Sequence, residues 1–378
     1  MGVVTYKEAS RLALVEEMRR DSTVWALGED VGDGGVFGQY AGLRDEFGFN
    51  RVVSTPISEA TIMGAAVGAA MVGTRPVVEL RFADFALCAM DEMVNQAAKA
   101  RYMFGGQTRV PVVIRQPIGM WRSSAAQHSQ SLESWYVHTP GLVVLAPGTP
   151  ADNYGLLKSA IRCDDPVIFM EHKDSWDVEG EVDNNSDKTV PIGTARVVRA
   201  GEDLTVVTWS GAVQVALQVA DAAAEKGVSV EVVDLRSLWP WDKETVFSSI
   251  EKTRRMVVLH EAVKVCGFGA EVAATVSEMM GDRLATPVRR LGAPRIPIPY
   301  APPLEDLCRV RVIDVMNIVK EMAIRVCQAR ITSHAASMAA RRWPKCSNCM
   351  KLISCWEWAV SNCYLFMKRC ALSGSTTI

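Results

Sequence analysis

The sequence has little of what builds secreted or membrane proteins. Only four of its ten cysteines lie among the first 323 residues, at positions 88, 163, 266 and 308, and four scattered thiols offer no disulfide framework. No uncharged apolar stretch reaches ~18 residues, so we predict no transmembrane helix. Lys7, Glu8 and Arg11 come too early for the apolar core of a signal peptide to form. These absences predict an intracellular globular protein.

The chain also lacks a strong excess of charge. Its 378 residues carry a net charge of −2 and are 49% hydrophobic, which is typical of a globular protein and gives no electrostatic reason to expect a nucleic-acid partner. Residues 324–378 differ, with eight Lys or Arg, one acidic residue and six of the ten cysteines. The first 323 residues therefore carry 33 basic against 42 acidic side chains, a net charge of −9.

We predict that residues 324–378 form an atypical, basic and Cys-rich tail that is disordered and dispensable for assembly. Cys346 and Cys349 form a CxxC pair there. The later cysteines make no second pair of this spacing, so we predict no zinc site in the tail.

Short runs rich in Val and Ile alternate with amphipathic or Ala-rich stretches. Such near-continuous apolar strands predict an α/β fold with a mostly parallel sheet covered on both faces. In residues 1–180 the predicted strands are 23–28, 51–54, 76–82, 110–115, 142–145 and 166–171, and the predicted helices are 59–72, 86–103 and 151–162. Residues 181–200, which include VDNNSDKTVPIG, predict a linker.

Residues 201–323 repeat the alternation and predict a second, smaller α/β domain. Its predicted strands are 204–209, 228–235, 256–260 and 287–291, and its predicted helices are 213–226, 243–252 and 267–280. Five prolines between 294 and 303 then predict an extended segment.

The motif TPISEA, residues 55–60, stands at a strand-to-helix junction before a helix of small residues. Ser58 has the position of an N-cap and Glu59 lies in the first helical turn. A glutamate there complements the helix dipole, a surface effect of ~0.3–1 kcal/mol. Because ligands of open α/β sheets bind at strand ends, a catalytic role for Glu59 is the competing hypothesis.

A second motif, AAQHSQ, places His128 in a loop among small polar residues. A histidine in such a loop serves as an acid–base or phosphate-contacting group, or as a hydrogen-bonded structural residue, and the residues alone leave both open. The glycines at 32 and 34 lack the paired Asn of a diphosphate–magnesium motif and predict a turn. Those at 267 and 269 lack the third glycine of a dinucleotide fingerprint.

Six motifs follow one another along the chain: TPISEA, AAQHSQ, KSAIR with DDPVIF, VVDLRSLWPWD, HEA with GFGAE, and PYAPPLE. Together they resemble the β subunit of the thiamine-diphosphate-dependent first component of 2-oxoacid dehydrogenase complexes and its relative acetoin dehydrogenase. The resemblance covers about residues 3 to 323. It implies a transketolase-like pyrimidine-binding domain followed by a transketolase C-terminal-like domain used in assembly, and it leaves the tail uncovered.

In that family the β subunit supplies the half of the cofactor site that binds the pyrimidine. The α subunit supplies the half that binds the diphosphate, and it mainly holds the Mg²⁺ ion. The resemblance implies that Glu59 hydrogen-bonds N1′ of the aminopyrimidine and so promotes activation of the cofactor. Phe85 matches the aromatic residue that packs on the pyrimidine, and Glu29, in LGEDVG, matches a position near the same site. His128 matches the histidine that assists carbonyl chemistry or transfer to the lipoyl group.

The resemblance also implies a structural potassium ion, bound at the positions of Val112, Ala160, Ile161, Cys163 and Asp165. Cys163 replaces an aspartate of the family, but some of the ligands are backbone carbonyls. Two further departures concern the substrate channel or its packing. Residues 120–122, Met-Trp-Arg, replace small residues, and Phe104 replaces a Ser or Thr.

We therefore predict a β subunit of an α2β2 decarboxylating dehydrogenase. Paired with its α subunit, it would act on pyruvate or a related short 2-oxoacid and pass the acyl group to a lipoyl-bearing acyltransferase. We expect a cytoplasmic protein, or one of the mitochondrial matrix in a mature eukaryotic form, that binds neither membrane nor nucleic acid. The alternatives are an acetoin dehydrogenase β subunit and a non-catalytic assembly subunit of the same fold.

Overall fold

In a computed structural model, which describes residues 2–183 and 188–322, the first half of the chain is organised by a seven-stranded sheet. Its strands lie in the order β12-β6-β7-β5-β4-β2-β3, and all pair in parallel except β12. They are β2 (Val24–Gly28), β3 (Val52–Ser54), β4 (Arg75–Glu79), β5 (Val113–Ile118), β6 (Val143–Leu145), β7 (Val167–His172) and β12 (Ser237–Trp239). A separate antiparallel pair joins β1 (Gly2–Thr5) to β8 (Glu179–Val182).

Helices cover this sheet on both faces, so the all-parallel strands are buried on both sides. They are α1 (Tyr6–Arg20), α2 (Leu43–Phe47), α3 (Glu59–Met71), α4 (Ala98–Met103), α5 (Glu133–Val137) and α6 (Pro150–Arg162). On α6, Thr149 accepts a hydrogen bond from the Asp152 amide and Pro150 fills the first turn, which is favourable chemistry for a helix start.

The second half of the chain forms a five-stranded sheet in the order β14-β13-β10-β11-β9, in which β9 alone is antiparallel. Its strands are β9 (Arg196–Arg199), β10 (Leu204–Thr208), β11 (Val230–Asp234), β13 (Met256–Val263) and β14 (Arg289–Ala293). Its helices are α7 (Ala212–Ala224), α8 (Lys243–Thr253), α9 (Phe268–Met280) and α10 (Pro302–Cys308).

The two sheets share one apolar core, in which Ile168 of the first sheet and Val207 and Trp209 of the second belong to the same buried cluster. Strand β12 comes from the second half of the chain but pairs with β6 of the first sheet. Glu261 on β13 reaches across to the first half, where its Oε1 contacts Nε2 of His172 at 2.9 Å and accepts the amide hydrogen of Met120 at 2.6 Å.

The predicted α/β fold is confirmed, and most element bounds agree to within two residues. The predicted helix 86–103 is broken into a 3₁₀ turn at Phe85–Ala89, a π turn at Glu92–Ala97 and then α4. The predicted strand 110–115 begins at Val113 instead, and Pro302 starts a helix rather than continuing an extended segment. The predicted tail lies outside the described residues, and no helix within them has the length and apolarity to span a bilayer.

The predicted turn at the glycines of 32 and 34 is present as a 3₁₀ turn over Val31–Asp33, with Gly34 at φ +101°. The glycines of the GFGAE motif let the start of α9 pack closely against the His260 ring on β13. A Cβ at Gly267 or Gly269 would lie within 2.7 Å of the buried His260 ring, which stacks on Trp209. The motif is therefore a close helix–strand contact.

Candidate active site

Five neighbouring parallel strands end at one edge of the seven-stranded sheet, and each leads to a candidate residue. Register pairs Gly28 with Ser54 and with Glu79, so β2, β3 and β4 end level. Glu79 pairs with Arg115, so β5 and β7 extend three residues further, to the pair of Ile118 and His172. Glu29 follows β2, and the segment after β3 leads to Glu59. The segments after β4, β5 and β7 lead to Phe85, His128 and Lys173, respectively. Ligand sites of open α/β sheets form at such carboxyl ends.

Glu59 is half-buried and is the first residue of α3. Ser58 has the N-cap position, but its hydroxyl donates to Thr61 Oγ1 at 2.8 Å and makes no capping hydrogen bond to the helix backbone. Glu29 is 8% exposed. Burial raises the pKa of Glu29, Arg81 at 3.7 Å opposes this, and the nearby Glu59 adds to the rise. The two predicted carboxylates are thus electrostatic neighbours.

Phe85 and His128 are brought into direct contact. Their ring centroids are 5.2 Å apart in an edge-to-face arrangement, and Phe82 contacts both rings, at 5.6 Å from Phe85 and 5.0 Å from His128. Helix α3, which begins at Glu59, packs against the 3₁₀ turn that begins at Phe85. All four predicted catalytic and cofactor residues therefore lie at one end of the sheet.

The loop that carries His128 has a strained backbone. Arg122, Ser123 and Ala125 have φ values of +44°, +60° and +61°, a region that costs non-glycine residues roughly 1–2 kcal/mol each. Gln130 ties the loop to Asp84, whose Oδ1 accepts its side-chain amide at 2.8 Å. The ammonium of the buried Lys173 donates to the carbonyl oxygen of His128.

Trp121, which stands out in the sequence, extends the aromatic surface beside the site. Its ring contacts Phe37 and Trp176 edge-on, at 5.6 Å each, and Phe37 in turn contacts Phe82 at 6.2 Å. The indole therefore joins a continuous aromatic cluster that reaches His128. Phe104, by contrast, lies 54% exposed at the end of α4.

A network of buried charges lies in the strands that lead to the site. Arg115 donates through Nε and Nη2 to Oε2 of Glu171, at 2.8 and 2.7 Å, and lies over the Tyr40 ring at 5.0 Å. Glu79 accepts from the Tyr40 hydroxyl at 2.7 Å and from Gln39 at 3.2 Å. Burial raises the pKa of Glu79 to about 7, with Arg115 opposing.

Two of the residues predicted to bind potassium, Ile161 and Cys163, contact Arg75. Its Nη1 donates to the carbonyl oxygens of Ile161 and Cys163, at 3.0 and 2.9 Å, and its Nη2 pairs with Asp164 at 2.7 Å. A guanidinium nitrogen takes the point where these two oxygens converge, so this geometry does not fit a potassium ion bound by both. Within the described residues, no group of three His, Cys, Asp or Glu side chains is arranged to hold a metal ion.

Sequence reasoning missed Phe82, Asp84 and Lys173. Phe82 and Asp84 stand within the RFADFA segment that supplied Phe85, and Lys173 directly follows the end of a strand. The position of Lys173 at a strand end was the available signal. The hydrogen bond from the Lys173 ammonium to the carbonyl oxygen of His128, 45 residues away, depends on the parallel pairing of β5 and β7.

Two family models match the chain. Residues 3–177 match the pyrimidine-binding domain of transketolase, and residues 193–315 match the transketolase C-terminal domain. The solved structure of a split-gene transketolase, an inactive β4 tetramer, superposes with a TM-score of 0.69. It has 23% sequence identity and covers 85% of this chain and 98% of that one. This likeness shows the fold.

Curated relatives carry the comparison further. The 2-oxoisovalerate dehydrogenase subunit β of Bacillus subtilis is 43% identical, over 85% of this chain and 99% of its own. The mitochondrial pyruvate dehydrogenase E1 component subunit β-2 of Oryza sativa is 42% identical, over 85% and 87%. The acetoin:2,6-dichlorophenolindophenol oxidoreductase subunit β of B. subtilis is 42% identical, over 80% and 92%. The chain therefore belongs to the family of E1-type β subunits, which is built from a transketolase pyrimidine-binding domain and a transketolase C-terminal domain.

Proposed function

We propose that this chain is the β subunit of an α2β2 dehydrogenase that decarboxylates pyruvate or a related short 2-oxoacid. In this proposal the acyl group passes to a lipoyl-bearing acyltransferase component. The observation that carries the proposal is the convergence of Glu59, Glu29, Phe85 and His128 at one edge of the sheet, in a chain of this family. The site belongs to domain 1–180, with 181–200 as the linker, whose residues 196–199 form β9 of the second sheet, and with 201–323 as the second domain.

The residues at this edge fit the pyrimidine half of thiamine diphosphate. Glu59 offers a half-buried acceptor carboxylate, and Phe85 offers an aromatic surface for a planar ring. Thr55 Oγ1, four residues before Glu59, is buried and has no hydrogen-bond partner within the described part of the chain. When bound, the cofactor supplies the carbon nucleophile and the electron sink for loss of the carboxylate.

The protein's own contribution starts at Glu59, whose carboxylate holds a proton at the ring nitrogen N1′ and orients the ring by that bond. Phe85 fixes the plane of the ring by packing. His128, whose imidazole touches Phe82 and Phe85, is placed to exchange a proton with the substrate or the acceptor. The aromatic surface that continues to Trp121 excludes water from this end of the site.

An α subunit completes the site in this proposal and holds the diphosphate and Mg²⁺. The relatives are named as β subunits, and two exposed apolar side chains, one beside each end of α3, support a missing partner. Ile57 is 75% exposed beside Glu59, and Val72, at the far end of α3, is 83% exposed. Side chains of this kind are buried when a subunit covers them. The proposed location is the bacterial cytoplasm or, as in the named plant relative, a mitochondrion.

The test is Glu59→Gln in the assembled complex. A neutral amide cannot hold the proton at N1′, so turnover should fall by at least ~100-fold, while binding of the α subunit stays intact. The measurement is 2-oxoacid-dependent reduction of a dye or lipoyl acceptor by the complex. Near-normal turnover would refute the cofactor-activating role.

Glu271→Gln is the matched control, because Glu271 lies in the first turn of α9, which has 13 residues like α3. If Glu59 only complemented a helix dipole, both variants would show the same small loss of stability and no loss of activity.

Acetoin is the second candidate substrate, since acetoin oxidoreductase β subunits match this chain at 42 and 43% identity. Pyruvate, 2-oxoisovalerate and acetoin assayed on one preparation would rank the three by kcat/KM. A complex that takes up no thiamine diphosphate would instead support the non-catalytic assembly subunit.

A further inference from the structure

Lys173 is an unusual residue because its charge is buried beside the site and, among the described residues, no carboxylate is in ion-pair contact with it. It is 1% exposed, and its ammonium lies 4.8 Å from the centre of the Phe82 ring. The hydrogen bond that it makes goes to the carbonyl oxygen of His128. Burying an ammonium is costly, so a buried lysine at this position calls for a physical explanation.

The imidazole of His128 needs support from its backbone. Among the described residues neither ring nitrogen of His128 has a hydrogen-bond partner, and the ring is held by the edge-to-face contacts to Phe82 and Phe85. The loop before it contains three non-glycine residues at positive φ. A strained loop keeps one conformation only where its surroundings fix it.

Two contacts fix this loop on either side of Ser129. Gln130 is bound to Asp84 at 2.8 Å, and His128 is bound to Lys173 through its carbonyl. Phe82 connects them, because it contacts both the Lys173 ammonium and the His128 ring. The ammonium thus acts on the backbone and on one of the rings that set the imidazole.

We propose that Lys173 is a positioning residue that holds His128 in its working orientation through the His128 carbonyl and the Phe82 ring. The inference rests on the proposed function, in which His128 serves the reaction. Lys173 is not itself a catalytic residue, since its ammonium is engaged with the backbone.

The electrostatic surroundings agree with this role. Burial lowers the pKa of Lys173 to about 8, and the carboxylates of Asp84, Glu261, Asp174 and Glu305 oppose the decrease. These four carboxylates come from both halves of the chain. They keep the ammonium charged near neutral pH, where the charged donor makes the stronger hydrogen bond to a carbonyl.

The test is a double-mutant cycle in the complex with the α subunit. Lys173→Met should lower kcat by about 10- to 100-fold in the wild-type background, since misplacing a reacting group by ~1 Å costs up to about 100-fold. In the His128→Ala background the same change should lower kcat less than about threefold, because two residues that act as a unit are not additive. Independent, multiplying effects would overturn the proposal.

Lys158→Met is the matched control, because Lys158 is also fully buried but pairs with Glu16 at 2.8 Å away from the site. It should lower stability without any coupling to His128→Ala. If Lys173→Met fails to assemble, Lys173→Gln, which keeps an N–H donor, takes its place in the cycle. Loss of assembly in both, with Lys158→Met assembling, would show that Lys173 serves the fold and would overturn the proposal.

The outcomes separate this inference from the proposed function. Full activity of His128→Ala would remove the role of His128 itself. Impaired His128→Ala with unimpaired Lys173→Met would remove only the positioning role of Lys173.

Discussion

Three charged side chains, Arg115, Glu79 and Glu171, lie side by side in the middle of the parallel sheet. Glu171 accepts two hydrogen bonds from Arg115, from Nε and Nη2, whereas the nearest oxygen of Glu79 lies 3.9 Å from Arg115 Nε. One carboxylate thus matches the guanidinium well and the other poorly. A buried charge without a close partner is destabilising, and the elevated pKa of Glu79 expresses this.

Glu79→Gln should therefore stabilise the protein at high pH and leave it nearly unchanged at low pH. The pKa of Glu79 is about 7 in the folded state against 4.5 as its ordinary value. Between these values the folded state binds the proton more tightly, so wild-type stability falls as pH rises from about 5 to 8. The glutamine side chain does not ionise, so the variant should not show this decrease in the free energy of unfolding, which is on the order of 2 kcal/mol by pH 8.

The measurement is the difference in unfolding temperature between variant and wild type at pH 5 and pH 8. Glu171→Gln is the comparison, because it leaves Arg115 without its close partner and should destabilise the protein at both pH values. A difference for Glu79→Gln that does not grow with pH would contradict this account.

At the scale of residues the sequence predicted the site residues that stand within a recognisable motif. Glu59 and His128 could be singled out because a motif surrounds each. Lys173 and Asp84 could not, since their importance comes from contacts with residues about 45 positions away in the chain. Such contacts follow from the order of the strands in the sheet, in which β5 lies beside β7, and the hydrophobic pattern of a single strand does not specify that order.

At the scale of elements, the β5–His128 loop depends on Gly119. This glycine has φ +90°, and a Cβ there would lie 2.2 Å from Nε2 of His172, the nitrogen that contacts Glu261. The next residue, Met120, donates its amide to the same Glu261 carboxylate. The start of the loop is thus fixed by a contact for which only glycine has room.

Gly119→Ala should destabilise the protein and lower activity together. Gly106→Ala is a matched control, because Gly106 has φ +78° but nothing within 4 Å of an added Cβ. Both variants carry the backbone strain, and only the first must displace His172, which should cost about 1–3 kcal/mol more. Thermal unfolding and turnover of the complex measure the two effects, and equal losses in both variants would show that His172 moves aside freely.

The elements that the sequence did not predict depend on contacts with neighbouring strands and helices. Strand β12 has three residues, and its pairing with β6 defines it as a strand. The π turn at Glu92–Ala97 interrupts a stretch whose composition favours a regular helix. Apolar strands such as β2 and β6, by contrast, are predicted from their own residues, because burial of a parallel strand on both faces favours a continuous apolar run.

At the scale of the whole molecule, VVDLRSLWPWD joins the two sheets. Its Asp234 ends β11, its Ser237 begins β12, and Arg236 lies between them in a buried position. Arg236 Nη1 donates to Oδ1 of Asp152 on α6 at 2.8 Å, and its Nη2 donates to the carbonyl of Thr194 at 3.0 Å. One side chain therefore binds the first sheet's helix, the connecting segment and the second sheet together.

Arg236→Met should weaken this junction. It leaves Asp152, which is 1% exposed, with Arg196 at 3.2 Å as the remaining cation. It also leaves the Thr194 carbonyl without this donor. Breaking a buried ion pair by removing one partner costs about 3–5 kcal/mol, so the unfolding temperature should fall by several degrees. Because Arg236 also donates to the carbonyls of Thr194 and Ala195, proteolysis should cut the chain faster between residues 188 and 196.

Arg254→Met is the matched control, since Arg254 has φ +56° against +57° for Arg236 but is exposed on the surface. It should change the unfolding temperature by less than about one degree, as surface substitutions do. Similar small effects in both variants would mean that the shared apolar core, and not Arg236, holds the two sheets together. A large effect confined to Arg236→Met would show that this motif fixes the second sheet to α6 of the first.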